Sequence, residues 1–256
     1  MDLNISSILI LFFLSFVAQT LNASLGMGYG TIAVPVFILL GFEPLDILPS
    51  MLSVQVLSGI TTAIFHYRHG NIDFSKNSRA RKLAVVLTVF SIIGGGSAAF
   101  MAVNIPQIFI KIYIGVIAII MGLLVYIFRN KRIQFSWPRI NFLGFIASFN
   151  KGMSGAGYGP IITSGQILSG MDTKSSVSIS SFTEAISCLV AILVYILKLE
   201  ALHLVLILPL LGGSLVSIPV AVRIVKRSEE RNLIVAIGFI AIVLGVTTLI
   251  KVFLFR

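Results

Sequence analysis

Apolar runs close to the roughly 20 residues needed to cross a bilayer recur along this chain from one end to the other. A single water-soluble core has no room for so many, so the sequence predicts a polytopic α-helical membrane protein. Composition agrees. Of 256 residues, 57% are hydrophobic and only 11% charged, and the mean hydropathy is +1.04. In a soluble chain the net charge of +10 would point to nucleic acid. Here most lysines and arginines fall in three short connections, 68–82, 129–139 and 223–231, as expected of cytoplasmic loops facing anionic lipid. They include Arg68, Lys76, Arg79, Arg81 and Lys82, then Arg129, Lys131, Arg132 and Arg139, then Arg223, Lys226, Arg227 and Arg231. Membrane lipid is therefore an expected partner and nucleic acid is not. The single cysteine, Cys188, excludes a disulfide framework and a multi-cysteine metal site. The start Met1-Asp2-Leu3-Asn4 lacks the basic region of a secretory signal, so the first apolar segment is expected to stay.

Within this apolar sequence the pentapeptide Gly26-Met27-Gly28-Tyr29-Gly30 returns as Gly155-Ala156-Gly157-Tyr158-Gly159. Glycines in series disfavour a continuous helix and let other groups approach the backbone. In a membrane, irregular backbone is tolerated only where protein buries it or where it lines a polar cavity. The same order of segments surrounds each copy. In the first half A (5–21) leads into the loop, followed by B (31–40), C (47–67), D (83–103) and E (106–128). In the second, A′ (140–150) is followed by B′ (161–168), C′ (177–197), D′ (204–222) and E′ (233–253). Ile114-Gly115 through Met121-Gly122 in E matches Ile237-Gly238 through Leu244-Gly245 in E′. Gly94-Gly95 matches Gly212-Gly213, and Gly41-Phe42-Glu43 matches Gly170-Met171-Asp172. The chain thus reads as two repeats, 1–128 and 140–256, joined by a basic linker, 129–139.

Charge then sets topology. With the basic loops inside, the D–E turn lies outside while its counterpart D′–E′ lies inside, so the halves are inverted and both termini are expected outside. B, A′ and B′ are too short for full crossings. The expected fold is an all-α polytopic membrane protein of two inverted-topology repeats, with broken or re-entrant helices at the repeat interface. Secondary transporters use that architecture and place their site between the repeats.

Broken helices leave unpaired N–H groups and a partial positive charge at their N-termini, which suits a small anion. The candidate substrate-binding residues are Asn22, Ser24, Gly26, Gly28, Tyr29, Gly30 and Gln55 in the first half. In the second they are Lys151, Ser154, Gly155, Gly157, Tyr158 and Gly159, with Thr31, Asn150 and Thr163 as polar neighbours. Lys151 stands where a charge is expensive in lipid. Glu184, at the repeat position of Gln55, is the only carboxylate well inside an apolar span. It is the candidate coupling or gating residue, together with Thr183, and contact with Lys151 or Thr183 is expected. The alternatives are a structural ion pair for Glu184 and close helix crossing for the glycines. No cofactor or metal site is expected: His66, His69 and His203 show no ligand spacing, no G-K-[ST] follows either glycine loop, and no nucleophile–base pair stands out, so an enzyme is not expected.

The segments Asn22-Ala23-Ser24-Leu25-Gly26-Met27-Gly28-Tyr29-Gly30 and Lys151-Gly152-Met153-Ser154-Gly155-Ala156-Gly157-Tyr158-Gly159-Pro160, set in duplicated halves, resemble the TauE/SafE family of sulfite and organosulfonate exporters. Gly26, Gly28, Gly30, Gly155, Gly157 and Gly159 match that family's motif; Gln55 and Glu184 enter the site by repeat position. The resemblance implies transport of a small sulfur-containing anion across the cytoplasmic membrane. With the inside negative, moving one anionic charge outward gains about 2.3 kcal/mol per 100 mV, so export needs no ion partner. Proton coupling through Glu184 and a homodimer are left open, as are a passive anion channel of the same fold and a small carboxylate as substrate.

Overall fold

The computed structural model describes residues 5–26, 29–73, 75, 78–128, 136–199, 203–224 and 230–254. Residues 1–4, Met27, Gly28, Lys76, Arg129, Lys131, Arg132, Glu200, Lys226, Arg227 and the Arg231 side chain lie outside them. The described residues form ten helices and no strand. These are α1 (Ile5–Leu25), α2 (Tyr29–Leu39), α3 (Pro44–Arg68), α4 (Arg79–Ala102), α5 (Gln107–Phe128), α6 (Trp137–Ser154), α7 (Tyr158–Leu168), α8 (Thr173–Leu199), α9 (Leu204–Ile224) and α10 (Glu230–Leu254). Seven of them, α1, α3, α4, α5, α8, α9 and α10, are long and apolar enough to cross a membrane. Leu197 at 80% and Leu208 at 71% exposure would be costly in water, and such outward faces suit lipid.

Each expected segment is a helix, with shifted ends. Segment A runs on to Leu25, and A′ spans Trp137–Ser154 rather than 140–150. Its first turn takes in Trp137 and Arg139, read above as linker, because Pro138 sits at the start, where a missing N–H costs nothing. At α3, Pro44 does the same after an extended Glu43. Ser78 caps α4 by accepting from the Arg81 N–H at 3.1 Å.

The two short helices end alike. Gly41 (φ 99°) follows α2 and Gly170 (φ 84°) follows α7. The next residue's N–H reaches back across the turn, Phe42 to the Phe37 carbonyl and Met171 to the Gln166 carbonyl, both at 3.1 Å. This is the Schellman ending, which needs the left-handed conformation that glycine adopts freely.

Helix partners exchange between the halves. Helix α1 packs on α9 as α6 packs on α4; α3 packs on α9 as α8 packs on α4; α2 meets α10 as α7 meets α5. Helices α3 and α8 pack on each other, as do α5 and α10. The α5–α10 contact brings backbone close to backbone, with Ile119, Ile242 and Leu249 packed at the glycines. A Cβ on Gly122 would lie 2.4 Å from the Gly238 carbonyl oxygen, and one on Gly245 would lie 2.6 Å from that of Gly115. The pairing 115 with 245 and 122 with 238 makes these helices antiparallel. A second matched detail ties C to A. The Tyr195 hydroxyl donates to the Gly152 carbonyl at 2.7 Å, while His66 Nε2 meets the Ala23 carbonyl at 3.1 Å. Asn71 Nδ2 donates to the other ring nitrogen of His66, at 3.1 Å, so Nε2 carries the proton.

Candidate functional site

The two glycine loops cross. Gly30, in the first turn of α2, lies so close to the second loop that a Cβ there would be 1.7 Å from the Gly155 carbonyl oxygen. Gly155 closes α6 in the left-handed conformation (φ 67°), with its N–H on the Lys151 carbonyl at 2.8 Å. Gly157, also left-handed, precedes α7. On the other side, Thr163 from α7 donates to the Gly26 carbonyl at 3.0 Å, and its hydroxyl lies 2.9 Å from that of Ser180 in α8. Backbone therefore meets backbone at the crossing, and only glycine at position 30 permits it.

Lys151 lies in the last turn of α6 and is fully buried. Its ammonium pairs with Glu184 Oε1 at 2.7 Å, with side-chain exposures of 1% and 8%, and donates to the Gly155 carbonyl at 2.9 Å. A cation suits the carbonyl end of a helix, and here the helix end, the loop carbonyl and the carboxylate all converge on it. The arrangement is a buried ammonium at a helix break, neutralised by a carboxylate from the protein itself.

The other sequence-derived residues fall around this pair. Ser154 donates to the Asn150 carbonyl at 2.7 Å and accepts from the Ala156 N–H at 3.3 Å, so it shapes the loop. Tyr158 is fully buried and its hydroxyl meets Ser91 at 3.0 Å; Thr183 also reaches it, and Glu184 is near. Tyr29 is placed alike, its hydroxyl 3.1 Å from Ser15, whose own hydroxyl donates to the Leu210 carbonyl. Thr183 donates mainly to its own helix, at the Ile179 carbonyl. Gln55 does not touch the ion pair. Its Oε1 faces the Cys188 thiol, one turn from Glu184, and its buried Nε2 has no hydrogen-bond partner among the described residues. Asn22, Ser24 and Thr31 are buried in the first half, with Ser24 bonded to the Leu21 carbonyl, and Gly159 is buried in the second. Gly28 lies outside the described residues.

Three contributors escaped the sequence reading. Tyr113 of α5 donates its hydroxyl to Asn150 Oδ1, Tyr195 holds the Gly152 carbonyl, and His66 holds that of Ala23. Tyr113 and Tyr195 resemble ordinary membrane aromatics in sequence. His66 and Tyr195 are separated by the same interval as the two glycine pentapeptides, a signal the sequence carries.

The profile of the sulfite exporter TauE/SafE family matches residues 11–248. The chain is also similar to the probable membrane transporter protein YtnM of Bacillus subtilis (strain 168), at 24% identity over 252 residues, 93% of this chain and 81% of that protein. No solved structure matches it. With seven helices able to span a bilayer and a buried polar crossing between broken ones, the chain belongs to the TauE/SafE family and is a membrane transporter.

Proposed function

We propose that this transporter exports a small sulfur-containing anion, such as sulfite or an organosulfonate, across the cytoplasmic membrane by alternating access at the loop crossing. One observation carries the reading: a lysine and a glutamate, paired at 2.7 Å and almost wholly removed from solvent, sit where two broken helices meet. Such a charge deep in an apolar protein is retained for a task more often than for stability.

The substrate's negative charge takes the place of the Glu184 carboxylate on Lys151. A proton taken up by Glu184 keeps the site neutral during that exchange, which makes Glu184 the coupling residue. Asn22 and Gln55 occupy the repeat positions of Lys151 and Glu184. Their amides supply uncharged donors for the anion's remaining oxygens, and the unpartnered Gln55 Nε2 supports that role. The first turns of α2 and α7 add backbone N–H groups.

Halves 1–128 and 140–256 act as inverted repeats, with the basic loops cytoplasmic and the termini outside. The antiparallel α5–α10 pair supports this, because equivalent helices of inverted halves must run in opposite directions. A small carboxylate is the second reading, favoured because the group now on Lys151 is itself a carboxylate. Saturable counterflow sets the proposal apart from a passive channel of the same fold.

Counterflow in proteoliposomes, across sulfite, taurine, sulfoacetate and small carboxylates, tests the proposal. Saturable exchange of a sulfur oxyanion is expected, with Lys151→Met inactive and Glu184→Gln uncoupled from the proton gradient. Variants that both transport like wild type would remove Lys151 and Glu184 from the site.

A further inference from the structure

Away from the loop crossing, a cleft of about 380 Å³ opens where the end of α2 and the α2–α3 turn meet the first turn of α5 and the last turn of α10. Its volume falls in the range of about 300–1,000 Å³ usual for small-molecule sites. Gly41, Phe42, Glu43, Lys111 and Lys251 all line it. Lys111 pairs with Glu43 at 2.5 Å, and both side chains keep contact with solvent, at 22% and 41% exposure. Lys251 forms no ion pair among the described residues. It donates instead to the carbonyls of Ile38 at 2.9 Å and Leu39 at 3.1 Å, at the end of α2.

The cleft therefore holds two cations and one anion. An ammonium has three donors: Lys111 spends one on Glu43 and Lys251 two on carbonyls, which leaves two donors on Lys111 and one on Lys251. A lysine that merely capped α2 would need neither a cavity nor a second lysine lining it. Both lysines also lie toward the ends of apolar spans on antiparallel helices, α5 and α10, and so at one membrane face and near headgroup depth.

We propose that this cleft binds an oxyanion, held between Lys111 and Lys251 and competing with Glu43 for Lys111. The oxyanion is either a free ion or the phosphate of a lipid headgroup; the recognition chemistry is the same. The cleft shares no residue with the loop crossing and stands whether or not that site carries the substrate.

The test is thermal melting of the full chain in neutral detergent. Sodium sulfate is compared with sodium chloride at matched ionic strength, and phosphatidylglycerol with phosphatidylcholine added to the micelles. Sulfate or phosphatidylglycerol is expected to raise Tm saturably. Lys111→Met with Lys251→Met loses the rise, and Glu43→Gln reaches half-effect at a several-fold lower concentration. That last result separates a ligand competing with Glu43 from a purely structural ion pair, whose loss would not tighten binding. A rise with sulfate assigns a free ion and one with phosphatidylglycerol alone a headgroup; both support the cleft. If the double lysine variant does not purify, Lys251→Gln and Glu43→Gln decide. No rise with either probe, an unchanged rise in the lysine variants, or no tightening in Glu43→Gln overturns the proposal. So does a rise that Lys151→Met abolishes and the cleft variants keep.

Discussion

The Lys151–Glu184 pair permits a quantitative test, because its two charges are nearly dry at 1% and 8% side-chain exposure and solvent screens them little. Glu184→Gln leaves the ammonium with the Gly155 carbonyl and an amide but no counter-charge. Lys151→Met strands the carboxylate and also removes the bond to Gly155. Breaking a buried pair from one side costs about 3–5 kcal/mol, whereas removing both charges together is close to neutral. A change of 1 kcal/mol moves Tm by about 2–4 °C in a chain of this size, so each single variant is expected to melt roughly 6–20 °C below wild type. The double variant should return to within a few degrees. The assay is a melting series on the four proteins in one detergent, combined as a double-mutant cycle. Counterflow on the same preparations separates folding from function, since the double variant should be stable and inactive. Losses that simply add in the double variant would refute the reasoning, because the two charges would then not be relying on each other.

Gly30→Ala is expected to yield no monodisperse protein by size exclusion, since its Cβ would lie 1.7 Å from a backbone oxygen that cannot swing aside. Gly70→Ala, with open space around it and φ 66°, should purify and lose only about 1–2 kcal/mol in a melt. Tyr195→Phe deletes the donor to the Gly152 carbonyl and leaves a buried acceptor unpaired, which should cost about 1–3 kcal/mol by the same measurement. Cys188, fully buried between α8 and α3, should resist N-ethylmaleimide at rest and react faster during substrate turnover. Equal labelling rates with and without saturating substrate would count against an opening along that seam.

Much of this architecture was legible from the sequence because lipid punishes ambiguity. Each apolar run had to become a helix, and each glycine pentapeptide had to break one. The ends were less legible. Asn22 and Ser24 look like loop residues, yet α1 continues through them, since their side chains find buried surroundings and Ser24 bonds back to Leu21. Lys151 and Glu184 stood out as charges in apolar sequence, but the distance between them depends on how α6 crosses α8, which no periodicity encodes. The cleft was invisible for a related reason. Lys111 and Lys251 lie near the termini of spans, where a sequence reader assigns lysines to the interface. Only the packing of α2, α5 and α10 together brings them to one cavity.

The α5–α10 seam has a mechanical consequence. At Gly115, Gly122 and Gly245 the two backbones come so close that Leu249, Ile242 and Ile119 seat in the notches the glycines leave. That seating fixes the spacing of α5 and α10, since a Cβ at Gly122 or Gly245 would run into the partner's backbone. A bulky residue there would pry the two helices apart without touching the loop crossing.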